Sequence, residues 1–533
     1  MQERLHIDLT LHQQALLNTT IPEALDYAAE HFGDELAMKV IEGSPSEHTW
    51  TELRRLISGL RSGLERAGIR PGDKVGLILG NGVEFPLSWL AVIEAGAIAV
   101  PMNPKYTEPE VEFVLGDAGA TWLIATTDSI VRLAGGIGVG PIPMSNVIAV
   151  GDDPADAAFE WSGLLVDPET PRTHRPDPHD VVNIQYTSGT TGMPKGCLLT
   201  HEYWIEFGVY TSGLFGQPKR LLADHPFYYM QNQAYFWIAL AGAGALYVTQ
   251  GLSRRKFMGW LHDHQIDFAW VDDFMLDEPE QPGDKLLAMS KAPIAGLPGE
   301  VHRALEERFG FQARDLYGST EAGNGTFVPW ERTDLVGVET MGLAWPTRES
   351  KIIDSAGLEV PAGTAGELCL RGSGMMLGYH NRPEANAELM LPGGWFRTGD
   401  LVRKDDDGLH YFQGRLKDMV NRSGENISCA EVELRIQALP EVFEVGVVPV
   451  PDADRGEEVK AIIVLQPDAD LTAAQVEAWC RKGLAPFKIP RFIEFRAALP
   501  YTASGKIAKA ELRAEADPTG ASVIDLRPPV TAH

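Results

Sequence analysis

Residues 186–196 read Tyr-Thr-Ser-Gly-Thr-Thr-Gly-Met-Pro-Lys-Gly, a run that places glycines, hydroxyls and one lysine in a single short loop. The chemistry suited to such a loop is grip on a polyphosphate. Gly189, Gly192 and Gly196 let the backbone approach phosphate oxygens and allow conformations in which successive N–H groups converge on an anion. Ser188, Thr190 and Thr191 add hydroxyl donors, Thr187 leads into the run, and Lys195 adds a fixed cation. The apolar stretch from Val181 to Tyr186 predicts a buried strand just before the loop, the usual setting of a nucleotide loop. No glycine lies five residues before a Gly-Lys-Ser or Gly-Lys-Thr, so the spacing disfavours an ordinary P-loop.

Six further clusters carry residues of the right types. Gly296-Leu297-Pro298-Gly299 precedes an amphipathic stretch, Val301 to Phe309. Asp315-Leu316-Tyr317-Gly318-Ser319-Thr320-Glu321 sets an aromatic ring, which suits a purine, near a hard carboxylate, which suits magnesium. Asp400, in Gly394-Trp395-Phe396-Arg397-Thr398-Gly399-Asp400-Leu401, can accept two hydrogen bonds from ribose hydroxyls, with Arg415 of Gly414-Arg415-Leu416-Lys417-Asp418 downstream. Towards the C-terminus stand Ser423-Gly424-Glu425-Asn426-Ile427-Ser428-Cys429 and Leu499-Pro500-Tyr501-Thr502-Ala503-Ser504-Gly505-Lys506-Ile507.

Taken in this order, the motifs closely resemble those of the adenylate-forming superfamily, which includes acyl- and aryl-CoA ligases, luciferases and peptide-synthetase adenylation domains. The resemblance runs from about residue 20 to about residue 515. It implies an α/β fold: a large N-terminal domain of parallel α/β subdomains with a β-rich portion, residues 1–416, and a small mobile α+β C-terminal domain, residues 417–533. It also implies roles. ATP or AMP would be held by Thr187, Ser188, Gly189, Thr190, Thr191, Gly192 and Lys195, by Gly296, Leu297 and Pro298 beside adenine, and by Asp315, Leu316, Tyr317, Gly318, Ser319 and Thr320. Asp400 and Arg415 would take the ribose and Glu321 Mg²⁺. Lys417 would be the hinge, Gly424 and Ser423 would line the CoA channel, and Lys506 would be catalytic together with Glu321 and Thr191.

The acyl pocket is where the chain departs from its relatives. Many carry Pro-Leu-Phe-His, with the histidine gating the pocket, whereas this chain has Pro226-Phe227-Tyr228-Tyr229, which puts Tyr229 at the gate. His225 then reads as an ordinary loop histidine. Asn232, Tyr235 and Asn324 are the other expected pocket residues. Buried amides want partners, so a purely aliphatic long chain fits poorly, and an aromatic or polar short-to-medium acid fits better. A trimethylammonium acid requires acidic and aromatic residues to converge as a cation site. Cys429 stands where relatives usually carry proline.

The elements that must position these residues are legible in periodicity. Helical spacing marks residues 22–32, followed by a strand at 37–41 and a second helix capped by Thr51 and ended by Gly68. Val75 to Leu79, Ala97 to Val100 and Thr121 to Ala125 read as buried strands alternating with helices at 84–96 and from Thr107, the pattern of a parallel sheet. Residues 127–180 are turn-rich and carry no assigned function. A helix is expected from about Thr200 and another over Phe236–Gly244. The acidic stretch 270–291 reads as a solvated loop, the alternative being an acidic wall that attracts a cationic substrate.

Composition bounds the rest. The chain has 533 residues, more than one core usually holds, with 44% hydrophobic and 23% charged residues, ordinary values for a globular protein. A formal charge of −28 disfavours nucleic acid and anionic membrane surfaces as partners, so anionic ligands must be met by local cations. The four cysteines are far apart and predict neither a disulfide nor a zinc site. With no leader-like N-terminus and no long apolar run, the expectation is a cytoplasmic protein without membrane insertion, for which a homodimer is allowed. The expected activity is that of an AMP-forming carboxylate–CoA ligase using ATP, CoA and Mg²⁺. The alternatives are a stand-alone adenylation enzyme that loads a carrier protein and a binding protein that has lost catalysis.

Overall fold

Buried parallel strands need both faces covered, and the first 200 residues supply strands and covering helices in alternation. The computed structural model describes all residues except 1–4, 135–137, 154, 169–170, 173, 188–193, 423–424, 453–454, 502–506, 518–519, 521 and 528–533, and the side chains of 417, 425 and 426. A seven-stranded sheet runs in the order Lys195–Thr200, Val181–Thr187, Ile98–Pro101, Lys74–Ile78, Trp122–Thr126, Val147–Val150, Phe159–Glu160. The hairpin Val181–Thr187 with Lys195–Thr200 is antiparallel, and the other neighbours are parallel. The stretch 127–180 therefore does more than turn, because it adds the last two strands and the helix Thr127–Leu133.

The helix Glu84–Glu94 is buried on every side from Phe85 onwards, the mark of a core helix. It carries one charge inward: Glu94 receives the Arg54 guanidinium in two bonds of 2.9 Å, so the carboxylate is neutralised where it is buried. The preceding helix spans Trp50–Ala67 and is capped by Thr49 in a reciprocal box with Glu52, two residues before the expected Thr51. Thr49 lies at the end of a short strand, which gives it the extended backbone a cap requires.

A second sheet orders Arg220–Ala223, Ala245–Val248, Leu36–Val40 and Ser46–Thr49. The helix before Ala245 starts at Met230, six residues ahead of the expected Phe236, because Asn232 and Gln233 are buried and bonded in its first turn. The sheet Lys291–Ile294, Gln312–Ser319, Gly323–Phe327, Leu343–Ala344 and an antiparallel sheet built on Arg348–Ile353, Ala365–Gly372 and Trp395–Lys404 complete the large domain. The smaller C-terminal domain packs helices Cys429–Gln437 and Ala473–Arg481 on a mixed sheet that includes Val442–Asp452 and Gly456–Leu465. Among the described residues no helix is long and apolar enough to cross a membrane.

The acidic stretch 270–291 is exposed at Asp273, Asp277, Glu278 and Glu280, as expected of a solvated loop. Asp284 is the exception: it is buried and bonded to Arg308 Nε at 2.7 Å. All four cysteines are buried and free. Burial pushes the Cys429 thiol up to about 12, which leaves it an inert packing residue.

Two buried histidines are held neutral. His201 Nδ1 accepts from the backbone N–H of Ile21 at 3.1 Å, and His410 is bonded to the Gly342 carbonyl and the Ser350 hydroxyl. Burial lowers both from 6.5 to about 4. The unfolded chain takes up these protons near pH 6.5 while the folded chain refuses them, so their contribution is complete above about 6.5 and is lost as the pH falls towards 4. Each is worth about 3 kcal/mol at most. The thermal midpoint is expected to fall over that window, and to fall less steeply in His201→Asn, which keeps an acceptor for Ile21 and cannot titrate.

Candidate active site

The strands Gln312–Ser319 and Gly323–Phe327 form a hairpin whose tip carries Ser319, Thr320 and Glu321. The turn is tight. A Cβ on Gly318 would meet the Gly323 carbonyl at 2.5 Å, and Gly323 has φ +61, so both positions demand glycine. Ser319 Oγ accepts from the Ala322 N–H at 3.1 Å. Tyr203, from the helix His201–Leu214, donates its hydroxyl to the Thr320 carbonyl at 3.1 Å. Thr320 Oγ1 lies 3.5 Å from the sulfur of Met230, the first residue of the helix Met230–Gly242.

Glu321 is reached from the other side by a residue that sequence reading missed. Tyr379 donates its hydroxyl to Glu321 Oε1 at 2.7 Å, and Lys195 Nζ sits 5.0 Å above the same ring. Burial first, and the Glu321 charge second, hold the Tyr379 phenol far above its usual range. The strap 376–380 is laced to both partners: the Met376 N–H donates to the Glu321 carbonyl, Leu377 and Leu198 bond across, and the His380 N–H donates to the Gly196 carbonyl. No motif marks Tyr379 in the sequence, because its role depends on this long-range pairing.

Arg348, buried beneath the hairpin, was missed for the same reason. Its guanidinium donates to the carbonyls of Ala322, Ser373 and Gly374 and to the Thr347 hydroxyl. Burial lowers it to about 10, still charged at neutral pH.

The residues expected at the ribose converge as a second group. Asp400, in the strand Trp395–Lys404, stands opposite Arg415 in the neighbouring strand His410–Arg415. Tyr317 donates its hydroxyl to Asp400 Oδ2 at 2.6 Å, and Arg415 Nε lies 3.1 Å from Oδ1. That approach is off the hydrogen-bonding direction, so Oδ1 has a counter-charge but no hydrogen-bond donor. Burial raises Asp400, against the pull of Arg415 and Tyr317. The Thr398 hydroxyl caps the Asp400 N–H at 3.1 Å, and Glu367 ties Arg397 and the Gly399 N–H, so the strand is held at this point. Where adenine is expected, the Gly296 N–H donates to Asp315 at 2.7 Å with Gly296 at φ +59. Burial lifts Asp315 to about 6. Pro298 precedes the helix Gly299–Phe309, Leu297 packs against the neighbouring core, and the Leu316 side chain is itself in the core, on the opposite face of its strand from Tyr317.

Of the phosphate grip, Thr187 bonds its hydroxyl to the Lys195 carbonyl at 3.4 Å. Ser188, Gly189, Thr190, Thr191 and Gly192 lie outside the described residues, as do Ser423, Gly424, Lys506 and the side chain of Lys417.

The expected acyl-pocket residues divide. Tyr229 packs against Tyr228 at 4.6 Å and is hydrogen-bonded by Asn103. Asn232 and Tyr235 share the helix Met230–Gly242, while Asn324 turns to Thr211, donating to its hydroxyl at 2.9 Å. Behind Tyr228 lies a buried amide network: Trp89 Nε1 donates to Asn183 at 2.8 Å, Asn183 to Gln185 at 3.1 Å, Gln185 to the Tyr228 carbonyl at 2.8 Å, and Gln233 to the Phe227 carbonyl at 2.7 Å.

The model of the AMP-binding enzyme family matches residues 25–380, and that of the AMP-binding enzyme C-terminal domain matches residues 431–506. The chain belongs to the AMP-binding enzyme family. Crotonobetaine/carnitine–CoA ligase of Salmonella paratyphi A is 30% identical over 509 residues, which cover 92% of this chain and 98% of that one. ATP-bound MatB from Rhodopseudomonas palustris superposes with a TM-score of 0.81 at 25% identity, over 93% of this chain and 99% of MatB. The apo form of the same MatB superposes with a TM-score of 0.71 at 25% identity, over 94% and 99%.

An Asp400→Asn substitution removes the charge that faces Arg415 and the ribose position. ATP affinity, measured by calorimetry, is expected to weaken by about 10- to 100-fold, the worth of a charged hydrogen bond, with the thermal midpoint of the free protein nearly unchanged.

Proposed function

We propose that this AMP-binding enzyme is an AMP-forming carboxylate–CoA ligase, an ATP-dependent acid–thiol ligase working in two steps. A carboxylate is a poor acyl donor because its oxygen leaves badly. In the first step the substrate carboxylate attacks the α-phosphorus of ATP, a P–O bond forms, and pyrophosphate departs, leaving an acyl-adenylate. In the second the CoA thiol, losing its proton, attacks the acyl carbon and AMP departs with its electron pair. The observation that carries this reading is the convergence of Tyr317, Asp400 and Arg415, with a buried carboxylate oxygen that has a counter-charge but no donor. A ribose hydroxyl supplies the missing donor, and the neighbouring ring suits adenine. The match to a relative named as a CoA ligase supports CoA as the acceptor.

Two anions meet in the first step, so positioning and charge neutralisation supply most of the catalysis. Lys195, Ser188, Thr190 and Thr191 hold the departing pyrophosphate, and Lys506 bridges the carboxylate and the α-phosphate. The donor set also fits Mg²⁺. Among the described residues no three His, Cys, Asp or Glu side chains form a metal cluster, so Glu321 would hold the ion with a single protein carboxylate, a donor set that suits Mg²⁺ because it keeps much of its water. When bound it screens phosphate charge. Tyr379 fixes the orientation of that carboxylate.

The chain divides at the turn Leu416–Asp418, with residues 1–416 in the large domain and 417–533 in the small one. Rotation about Lys417 withdraws Lys506 and brings Ser423 and Gly424 to the thiol's path. The difference between the two MatB superpositions supports a fold that takes more than one arrangement.

Acid-dependent pyrophosphate release that becomes multiple-turnover with CoA, with a thioester detected by mass, is the expected result; adenylate without thioester would transfer the second step to a carrier protein. Lys506→Ala is expected to slow adenylation by about 10²- to 10³-fold, the cost of one transition-state donor. Lys417→Pro fixes φ at the hinge and is expected to slow thioester formation selectively. Equal loss in both half-reactions would count against the hinge.

A further inference from the structure

The helix Met230–Gly242 shares its first turns with a carboxylate that the reaction described above does not use. Asp224 follows the strand Arg220–Ala223 and is 1% exposed. His225 Nδ1 is bonded to its Oδ1 at 2.9 Å, a contact a neutral imidazole can make as donor, while Oδ2 has no hydrogen-bond partner among the described residues. Close by, Asn232 is fully buried, donates Nδ2 to the His225 carbonyl, and leaves Oδ1 without a partner too.

The cradle is built to stay put. Asn81 donates to the His225 and Thr249 carbonyls at 2.8 and 3.0 Å and accepts from the Phe227 N–H at 3.0 Å. Tyr235, one turn beyond Asn232, packs edge-on against Phe268 at 5.2 Å, receives Gln231 on its hydroxyl at 3.0 Å, and feels the Asp224 charge. The Trp270 backbone also meets the Tyr235 hydroxyl. No lysine or arginine among the described residues pairs with Asp224.

Buried acceptors without donors are costly, and two together, beside aromatic rings, form a place for a cation. Its position is informative. Met230 touches Thr320 of the nucleotide hairpin, and at a helical rise of about 1.5 Å per residue Tyr235 lies roughly 7 Å further along. That is the span of a short acyl chain.

We infer that Asp224, with Asn232 and Tyr235, forms a subsite for a positively charged nitrogen at the far end of a short carboxylic acid substrate. This rests on the ligase reading, and it locates the cation site away from the exposed acidic stretch 270–291.

The test uses two acids of one shape, a trimethylammonio-butanoate and its carbon isostere with a tert-butyl end, so that charge alone differs. Acid-dependent AMP release with ATP and CoA, and direct calorimetric binding of each acid, are measured on the full chain and on Asp224→Asn. The wild type is expected to favour the cationic acid by about tenfold or more in both readouts, and the variant to lose that preference while handling the neutral acid as before. A wild-type preference for the neutral acid, or none, overturns the inference whatever the variant does, as does a preference that survives in the variant. Cation-selective, Asp224-dependent binding without AMP release sinks the ligase reading and keeps the subsite; AMP release without charge preference does the reverse.

Discussion

A charged guanidinium with no carboxylate within ion-pair distance among the described residues is an expensive thing to bury, and the nucleotide site depends on one. Arg348 spends its donors on carbonyls of two segments far apart in sequence, Ala322 in the hairpin and Ser373 and Gly374 in the strap. Carbonyl dipoles, together with the charges of Glu206 and Glu202 nearby, keep the cation tolerable, although burial still lowers its pKa. The planar fork matters because a lysine ammonium could not serve so many acceptors in fixed directions. With hairpin and strap clamped together, Glu321 meets Tyr379, and Tyr379 meets Lys195. The geometry around Glu321 and Lys195 follows from a residue that touches neither.

The polar interior sorts by whether its groups are satisfied. Trp89, Asn183, Gln185 and Gln233 find partners within the chain, and they build scaffold. Asp400 Oδ1, Asp224 Oδ2 and Asn232 Oδ1 are buried without donors. At these three oxygens a ligand group would supply the missing bond, which is the role proposed for them above.

Sequence reading recovered what is local. Four strands of the seven-stranded sheet, the helix boundaries near Ile21 and Thr107, and the pairing of Asp400 with Arg415 were legible, because periodicity, capping residues and motif strings are written in consecutive positions. The helix start at Met230 was misjudged, since buried amides in its first turn read as pocket lining when their tertiary partners are unknown. The strands within 127–180 are too short for alternation to register. Tyr379, Arg348 and Asp224 share a different obscurity: each is one residue of a common type whose meaning comes from a partner dozens to more than a hundred positions away or from the lack of one.

One strand joins the two halves of the site. Val181–Thr187 runs directly into the phosphate grip, and from its buried positions Gln185 reaches the Tyr228 carbonyl while Asn183 and Gln185 engage Gln233, which holds Phe227. The wall that carries Tyr229 is therefore pinned to the element that launches the polyphosphate loop. A shift of either one must stretch short hydrogen bonds inside a low-dielectric core, where each is strong and none can be replaced by water. In the proposed reaction the acid and the α-phosphorus must meet along one line of attack, and a shared buried strand would fix that line more firmly than two loops could, because a misplacement of about an ångström costs orders of magnitude in rate. On this view the amide network is part of how the carboxylate finds the phosphorus, although none of its members touches either.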